Sequence, residues 1–516
     1  MKKYGILCIF ATLFAYADPT QYRTSRSFFF SRPVYHNLSA THPLWNDAQT
    51  TKHIRACSAF QLVGIYQESL STCGLPGYFL TNCAPKVVIK GDNAHNSFAR
   101  NVRAEWLNLP ANFDGMLELN PRQKQAAAIV YYNQDLNAWF SHSWFDRLWV
   151  EISAPVVFVE QSLNPQQKIF SAKSDNSEQP STIIEAFNQP DWRFSRICPS
   201  TQKEVGLAEL RGNLGYTILD CDDVHLSTYS AFIIPTAKRQ DPTYVFNPFV
   251  GINGHVGAAT GLNFKTPLHD YCSEFKVLLY FAIESIYFFQ NKQCRTFDIK
   301  SPVDRPCFCA LNPTTCTPAY DPHLDLPLPD IIDTDLSCLD KQWSRYMLFR
   351  KKGTTITVPG VNILTQRVRV YPYATVDLDV GLTASYNSYH VAIGYNLWAR
   401  SHERLELIAP TCEVKNFNFE HYGIAGKSDT ASASASTIAH QAPDDPVFIT
   451  LEQRDISLPS GSYAGGSAHR VYGNLGYYAP EVNNLFASVG GFYEIPNDRN
   501  TVFRNWGIWA KLGGLY

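Results

Sequence analysis

The side chains able to do chemistry in this chain fall into two groups: charged residues on alternating rows, and cysteines. Glu151, Glu209, Arg211, Asn213, Glu284, Arg369, Asp377, Asp379, Arg400 and Lys511 each stand on the wetter of two alternating rows. Acids and bases opposed across an enclosed aqueous space set a transverse field that favours small polar solutes over apolar ones. These ten residues are the expected lumen lining. Catalysis has weaker support. His142-Ser143 and His225-Leu226-Ser227 bring a base near a hydroxyl, but neither sits in a G-x-S-x-G elbow, so no enzyme is expected. No cofactor and no metal are expected either. Asp220, Asp222 and Asp223 read as turn residues, and Cys307, Cys309 and Cys316 lack the paired spacing of a zinc knuckle.

The chain has 13 cysteines, and Cys8 lies in the leader described below. The remaining disulfide candidates are Cys57, Cys73, Cys83, Cys198, Cys221, Cys272, Cys294, Cys307, Cys309, Cys316, Cys338 and Cys412. An even number in an exported chain permits a disulfide framework. Cys307 and Cys309 are so close in sequence that each is expected to pair elsewhere. Connectivity stays open, as do crosslinks to a second copy or to envelope partners.

The first residues set the compartment. Lys2 and Lys3 precede an apolar run, Ile6 to Phe14, which ends in Ala15-Tyr16-Ala17. This reads as a signal peptide over 1–17. Elsewhere no apolar stretch reaches the roughly 18 residues that a transmembrane helix requires; the best rival, Val277 to Phe289, contains Glu284. Net charge is -2, so nothing steers the molecule to nucleic acid. Aromatic residues make up 14% and charged residues only 17%, which suits a barrel with aromatic girdles.

The elements that would position the charged rows are strands. Val376, Leu378, Val380 and Leu382 alternate with Asp377, Asp379, Gly381 and Thr383 within a row running from Val368 to Ala384. After Ser385 to Ser388 the pattern resumes, with Val391, Ile393, Tyr395 and Leu397 against Ala392, Gly394, Asn396 and Trp398. Further rows begin at 148 and 207 and occupy 223–234, 254–265, 273–289, 466–478, 484–494 and 502–516. Segments 59–67, 116–120 and 125–134 are candidates for earlier strands, and 341–352 with 445–453 for a further pair. Intervals near 158–203, 235–253, 290–366 and 401–465 fall on one side, and short turns near 219–222, 266–272, 385–388 and 479–483 on the other. That sorting predicts an all-β, transmembrane antiparallel β-barrel of about 12 strands, with 10 to 14 open. Long loops are then extracellular and short turns periplasmic. The interval 18–143 leaves three structures open: first strands, a lumenal plug or a small periplasmic domain. Residues 144–516 are expected to form the principal barrel. The small-polar stretch 424–446 is expected to be a mobile external loop.

The leader, the alternating strands, the Gly-aromatic hairpins and the ending Trp506-Gly507-Ile508-Trp509-Ala510-Lys511-Leu512-Gly513-Gly514-Leu515-Tyr516 resemble Gram-negative outer-membrane porins. The cysteine content resembles the major outer-membrane proteins of chlamydia-like bacteria. The resemblance implies a bacterial outer-membrane location and passive diffusion of small hydrophilic solutes through a charged aqueous lumen. Implied partners are outer-membrane lipid, the solutes, the barrel-assembly machinery and a homo-oligomer or disulfide-linked envelope protein. The alternative is a non-conducting structural or adhesive barrel stabilised by disulfides. A soluble exported β-protein, with its rows packed against another sheet, is the third class.

Overall fold

The computed structural model describes residues 25–45, 58–71, 74–81, 85–97, 99–140, 145–172, 179–221, 224–272, 275–299, 343–354, 356–372, 374–409, 412, 418–426, 447–479, 484–497 and 501–516. Twelve strands form a closed antiparallel barrel. In chain order they are β1 (Ser58–Ser69), β2 (Arg122–Asp135), β3 (Leu148–Ser162), β4 (Glu209–Cys221), β5 (Val224–Pro235) and β6 (Gly257–Cys272). They continue as β7 (Phe275–Phe288), β8 (Ala374–Tyr386), β9 (Tyr389–Arg400), β10 (Gly466–Ala479), β11 (Leu485–Pro496) and β12 (Asn505–Leu515). Each pairs with its sequence neighbour, and β12 returns to β1 in register from Ala59↔Leu515 to Ser69↔Asn505. Closure pairs each of these twelve strands on both sides.

The barrel is inside out relative to a soluble protein. On β8 the side chains of Asp377 and Asp379 are buried, whereas Leu382 is exposed. Asp379 is 0% exposed, while Ile393 and Leu475, facing away from the lumen, are 61% and 59% exposed. The outward band carries Val391, Val471, Val489, Ile508 and Leu512. At the short-turn end it is bordered by exposed Phe60, Tyr386, Tyr389, Tyr477 and Tyr516. At the opposite end stand Tyr287 and Phe289, with Tyr66 and Trp506 paired nearby. Strands in a hydrocarbon solvent require this arrangement, because they satisfy every backbone group there only as a closed ladder. The protein is a bacterial outer-membrane barrel.

Inside, large rings lie flat across the wall where the opposing residue is glycine. Tyr229 faces Gly261 and Trp509 faces Gly490 across adjacent strands. A β-carbon at either glycine would overlap the ring, so close approach demands Gly there.

The ten rows read from sequence all contribute to barrel strands, and 59–67 and 125–134 supply β1 and β2. One row is shorter than expected. The run from Val368 to Ala384 breaks at Pro372, which has no N–H for a ladder. Residues Thr365–Tyr371 leave the wall and pair with Asn291–Thr296 and Arg404–Ala409 in a separate three-stranded sheet. Segments 116–120, 341–352 and 445–453 also contribute strands outside the barrel, within two four-stranded sheets. The long connections therefore fold into a cap. Its core gathers Tyr78, Trp106, Phe187, Trp192, Trp343 and Phe503, with Trp192 stacked on Tyr346 at 5.5 Å. The expected loop over 424–446 lies largely outside the described residues.

A Val489→Arg substitution should separate this outward face from an ordinary wet surface. Val489 is 57% exposed near the middle of β11, so water-facing Arg would be nearly neutral. Facing hydrocarbon, it should cost about 2–4 kcal/mol, read as a shifted folding midpoint in lipid vesicles.

Candidate functional site

The chain's own residues 25–45, SRSFFFSRPVYHNLSATHPLW, start in the cap and fill the lumen below it. Extended backbone sends successive side chains to opposite sides, so Phe28 and Phe30 pack together with Trp398 and Tyr463, while Phe29 enters the cap core. Arg400 lies over the Phe30 ring at 3.6 Å, a cation–π contact strengthened by desolvation. One short helix, Leu38–Thr41, follows, and the Asn37 side chain accepts from Ala40 N–H at its start. Pro33 and Pro43 flank this turn.

Three sets of polar contacts hold the segment to the wall. Near the cap, Arg32 donates to Glu494 Oε2 at 2.9 Å, Asp377 Oδ2 at 2.7 Å and Asn396 Oδ1 at 3.0 Å. Its Nε donates to the His36 carbonyl at 3.1 Å, so the whole planar fork is used. Arg470 reaches the same Glu494 at 2.8 Å. On the facing wall, Tyr35 donates to Glu209 at 3.0 Å, His36 Nε2 lies 3.3 Å from the same carboxylate, and Gln125 accepts from Val34 N–H. Toward the short turns, Lys511 donates to the carbonyls of Ala40, Thr41 and Pro43. Trp45 Nε1 donates to Glu151 at 3.1 Å.

The expected lumen residues are distributed as follows. Glu151, Glu209, Asp377 and Lys511 contact the segment. Arg211 binds Glu284 through both nitrogens of its fork, and Tyr229 donates to the same carboxylate at 2.7 Å. Asn213 bridges Arg211 and Glu151. Asp379 accepts from Tyr472 at 3.0 Å, and the Tyr472 hydroxyl contacts that of Tyr280. Arg400 stands at the outer rim and pairs with Glu403 at 3.2 Å. Arg369 is elsewhere: it lies on the three-stranded cap sheet, paired with Glu406 at 3.0 Å and partly exposed. The break at Pro372 removes it from the barrel wall.

Sequence reading did not single out Arg32, Asn396, Arg470 or Glu494 as lumen residues, although it set Asn396 on the wetter row of its strand. The last three share parity with inward residues of recognised strands, so the alternation carried a signal for them. Arg32 sits in an aperiodic segment and had none. Beside His42 the lumen retains a cavity of about 60 Å³, bordered by Tyr131, Glu151, Arg211 and Glu284. It has room for a few waters.

Of the disulfide candidates, Cys294 and Cys412 are bonded and tie the cap together. Cys198 and Cys221 are unbonded thiols; one lies in an outer connection and the other at a short-turn end, separated by the height of the wall. Cys57, Cys73, Cys83, Cys307, Cys309, Cys316 and Cys338 lie outside the described residues, as does the Cys272 side chain.

No family model and no curated protein matches the chain. Similar solved structures include an outer membrane channel from Pseudomonas putida F1, at 8% identity over 89% of this chain and 96% of that one, TM-score 0.35. The beta domain of a Bordetella autotransporter matches at 7% identity over 89% and 100%, TM-score 0.30. The CymD monoaromatic hydrocarbon channel matches at 8% over 93% and 94%, TM-score 0.28. At such distances these likenesses carry no weight for what the chain does.

Two outcomes follow from the contacts. Arg32→Ala takes the cation from Asp377 and leaves Glu494 with Arg470, and loss of one partner from a buried pair costs about 3–5 kcal/mol. Urea midpoints in lipid vesicles should fall accordingly, with Arg32→Lys restoring only part, since one ammonium cannot reproduce the fork. In the cap, burial pushes the Glu403 carboxyl up, but Arg295 and Arg400 outweigh it and hold it below the usual carboxylate range. That contribution is present above the unfolded value, about 4.3, and is lost as pH falls through the lower folded value. Cap melting followed by tryptophan fluorescence should therefore weaken in acid. Glu403→Gln should melt lower at neutral pH and show a flatter acid dependence.

Proposed function

We propose that this outer-membrane barrel is held closed by its own N-terminal segment, and that small hydrophilic solutes cross only when the segment withdraws. The carrying observation is the buried Arg32, which ties the segment to Asp377 on β8 and Glu494 on β11. An open diffusion porin would present those charges to water. Here they are engaged with the plug, and the capped mouth adds a second closure. Withdrawal would return Glu151, Glu209, Asp377 and Lys511 to an aqueous path, where they would set its selectivity. Outer-membrane lipid surrounds the barrel. Solutes, the assembly machinery and disulfide-linked or identical partners belong to this proposal, and no catalytic chemistry does. The second reading is a non-conducting structural barrel, favoured by the compact aromatic core of the cap.

Planar-bilayer recording tests the choice. The intact protein should give few or no current steps, whereas a variant lacking residues 25–45 should give stable ones. Asp377→Asn in that variant should reduce its cation preference. Frequent steady steps from the intact protein would contradict the closed reading. Silence from both proteins, each inserted and heat-modifiable, would support the structural barrel instead.

A further inference from the structure

The N-terminal segment has a direction, and the direction carries a consequence. Ser25 lies among cap residues: its hydroxyl donates to Asp298 at 3.1 Å, and Arg345 donates to its carbonyl at 2.9 Å. Arg32 meets Glu494, two residues before the outer end of β11. Ala40 and Thr41 meet Lys511, in the half of β12 nearer the short turns. Trp45 then packs with Phe486 and Leu515 at the short-turn mouth. On that same side Ser58 opens β1, bonded to Tyr516. The chain thus enters the lumen at the cap and leaves at the short turns before the first strand begins. The wall around it is closed by the β1–β12 ladder, so no lateral gap connects the two faces.

We infer that the barrel carries its own N-terminal end across the outer membrane and presents whatever precedes Ser25 at the cell surface. A chain delivered from the periplasmic side with β1 starting there reaches this arrangement only if its N-terminal part passes through the lumen as the wall closes around it. The contacts that plug the barrel are then also the contacts that hold a translocated segment in place. This rests on the occupied lumen proposed above and on the long connections facing outward.

The test is a short epitope placed directly before Ser25 in the full chain, probed with antibody on intact and on permeabilised cells. Reference epitopes sit at Gly353, where nothing crowds an added group, and in the turn between β8 and β9 at Asn387. The Ser25 and Gly353 epitopes should label intact cells, and the Asn387 epitope should label at least tenfold better after permeabilisation. An Ser25 epitope that labels only permeabilised cells overturns the inference. If Gly353 still labels intact cells, the threading has failed while the orientation stands. If Gly353 and Asn387 trade behaviour, the orientation beneath the functional reading has failed as well. Should the insertion block assembly, an antibody raised against a peptide copying residues 18–24 gives the same readout on the unaltered protein. Labelling of intact cells supports display, and labelling only of permeabilised cells overturns it.

Discussion

The structure depends on one constraint: groups that cannot face hydrocarbon must find partners inside a closed wall. Asp377 and Glu494 meet it through Arg32, which belongs to no strand. Buried charges are tolerated when paired and hydrogen-bonded, and the terminal nitrogens of Arg32 go to Glu494, Asp377 and Asn396. The wall and the segment therefore stabilise one another. A barrel with this lining and no segment would have to admit water to its lumen, and a segment without the lining would have nothing to hold it.

The cap extends the same logic outward. Phe28, Phe29 and Phe30 divide between the rim and the cap core, so one short stretch couples the lumen to the fold above it. Arg295 and Arg400 share Glu403 at that junction. The seat of the segment in the lumen is thereby tied to packing in the cap.

Much of this fold was legible in alternation. Period two marked the wall strands, and the grouping of short and long connections pointed to a barrel of about 12 strands, with 10 to 14 open. It also placed Asp377, Asp379, Glu209 and Lys511 inward, because a barrel in lipid leaves no other face for charge. The same rule failed at Arg369, where the alternation runs on through Pro372 although the chain leaves the wall there. The plug is only one of three structures open for 18–143, because an extended segment held by tertiary contacts shows no period of its own. The cap core was hidden for a related reason: its aromatics are spread through connections whose meeting depends on the barrel already being closed.

Hydrogen exchange of the peptide covering residues 28–45, in the folded protein in lipid, tests the occupied lumen most directly. Amides such as Val34, bonded to Gln125, and His42, bonded to Leu38, should exchange as slowly as those of β8 and β11. Exchange of that peptide on the timescale of an exposed turn, with the strands still protected, would contradict a segment lodged in the barrel.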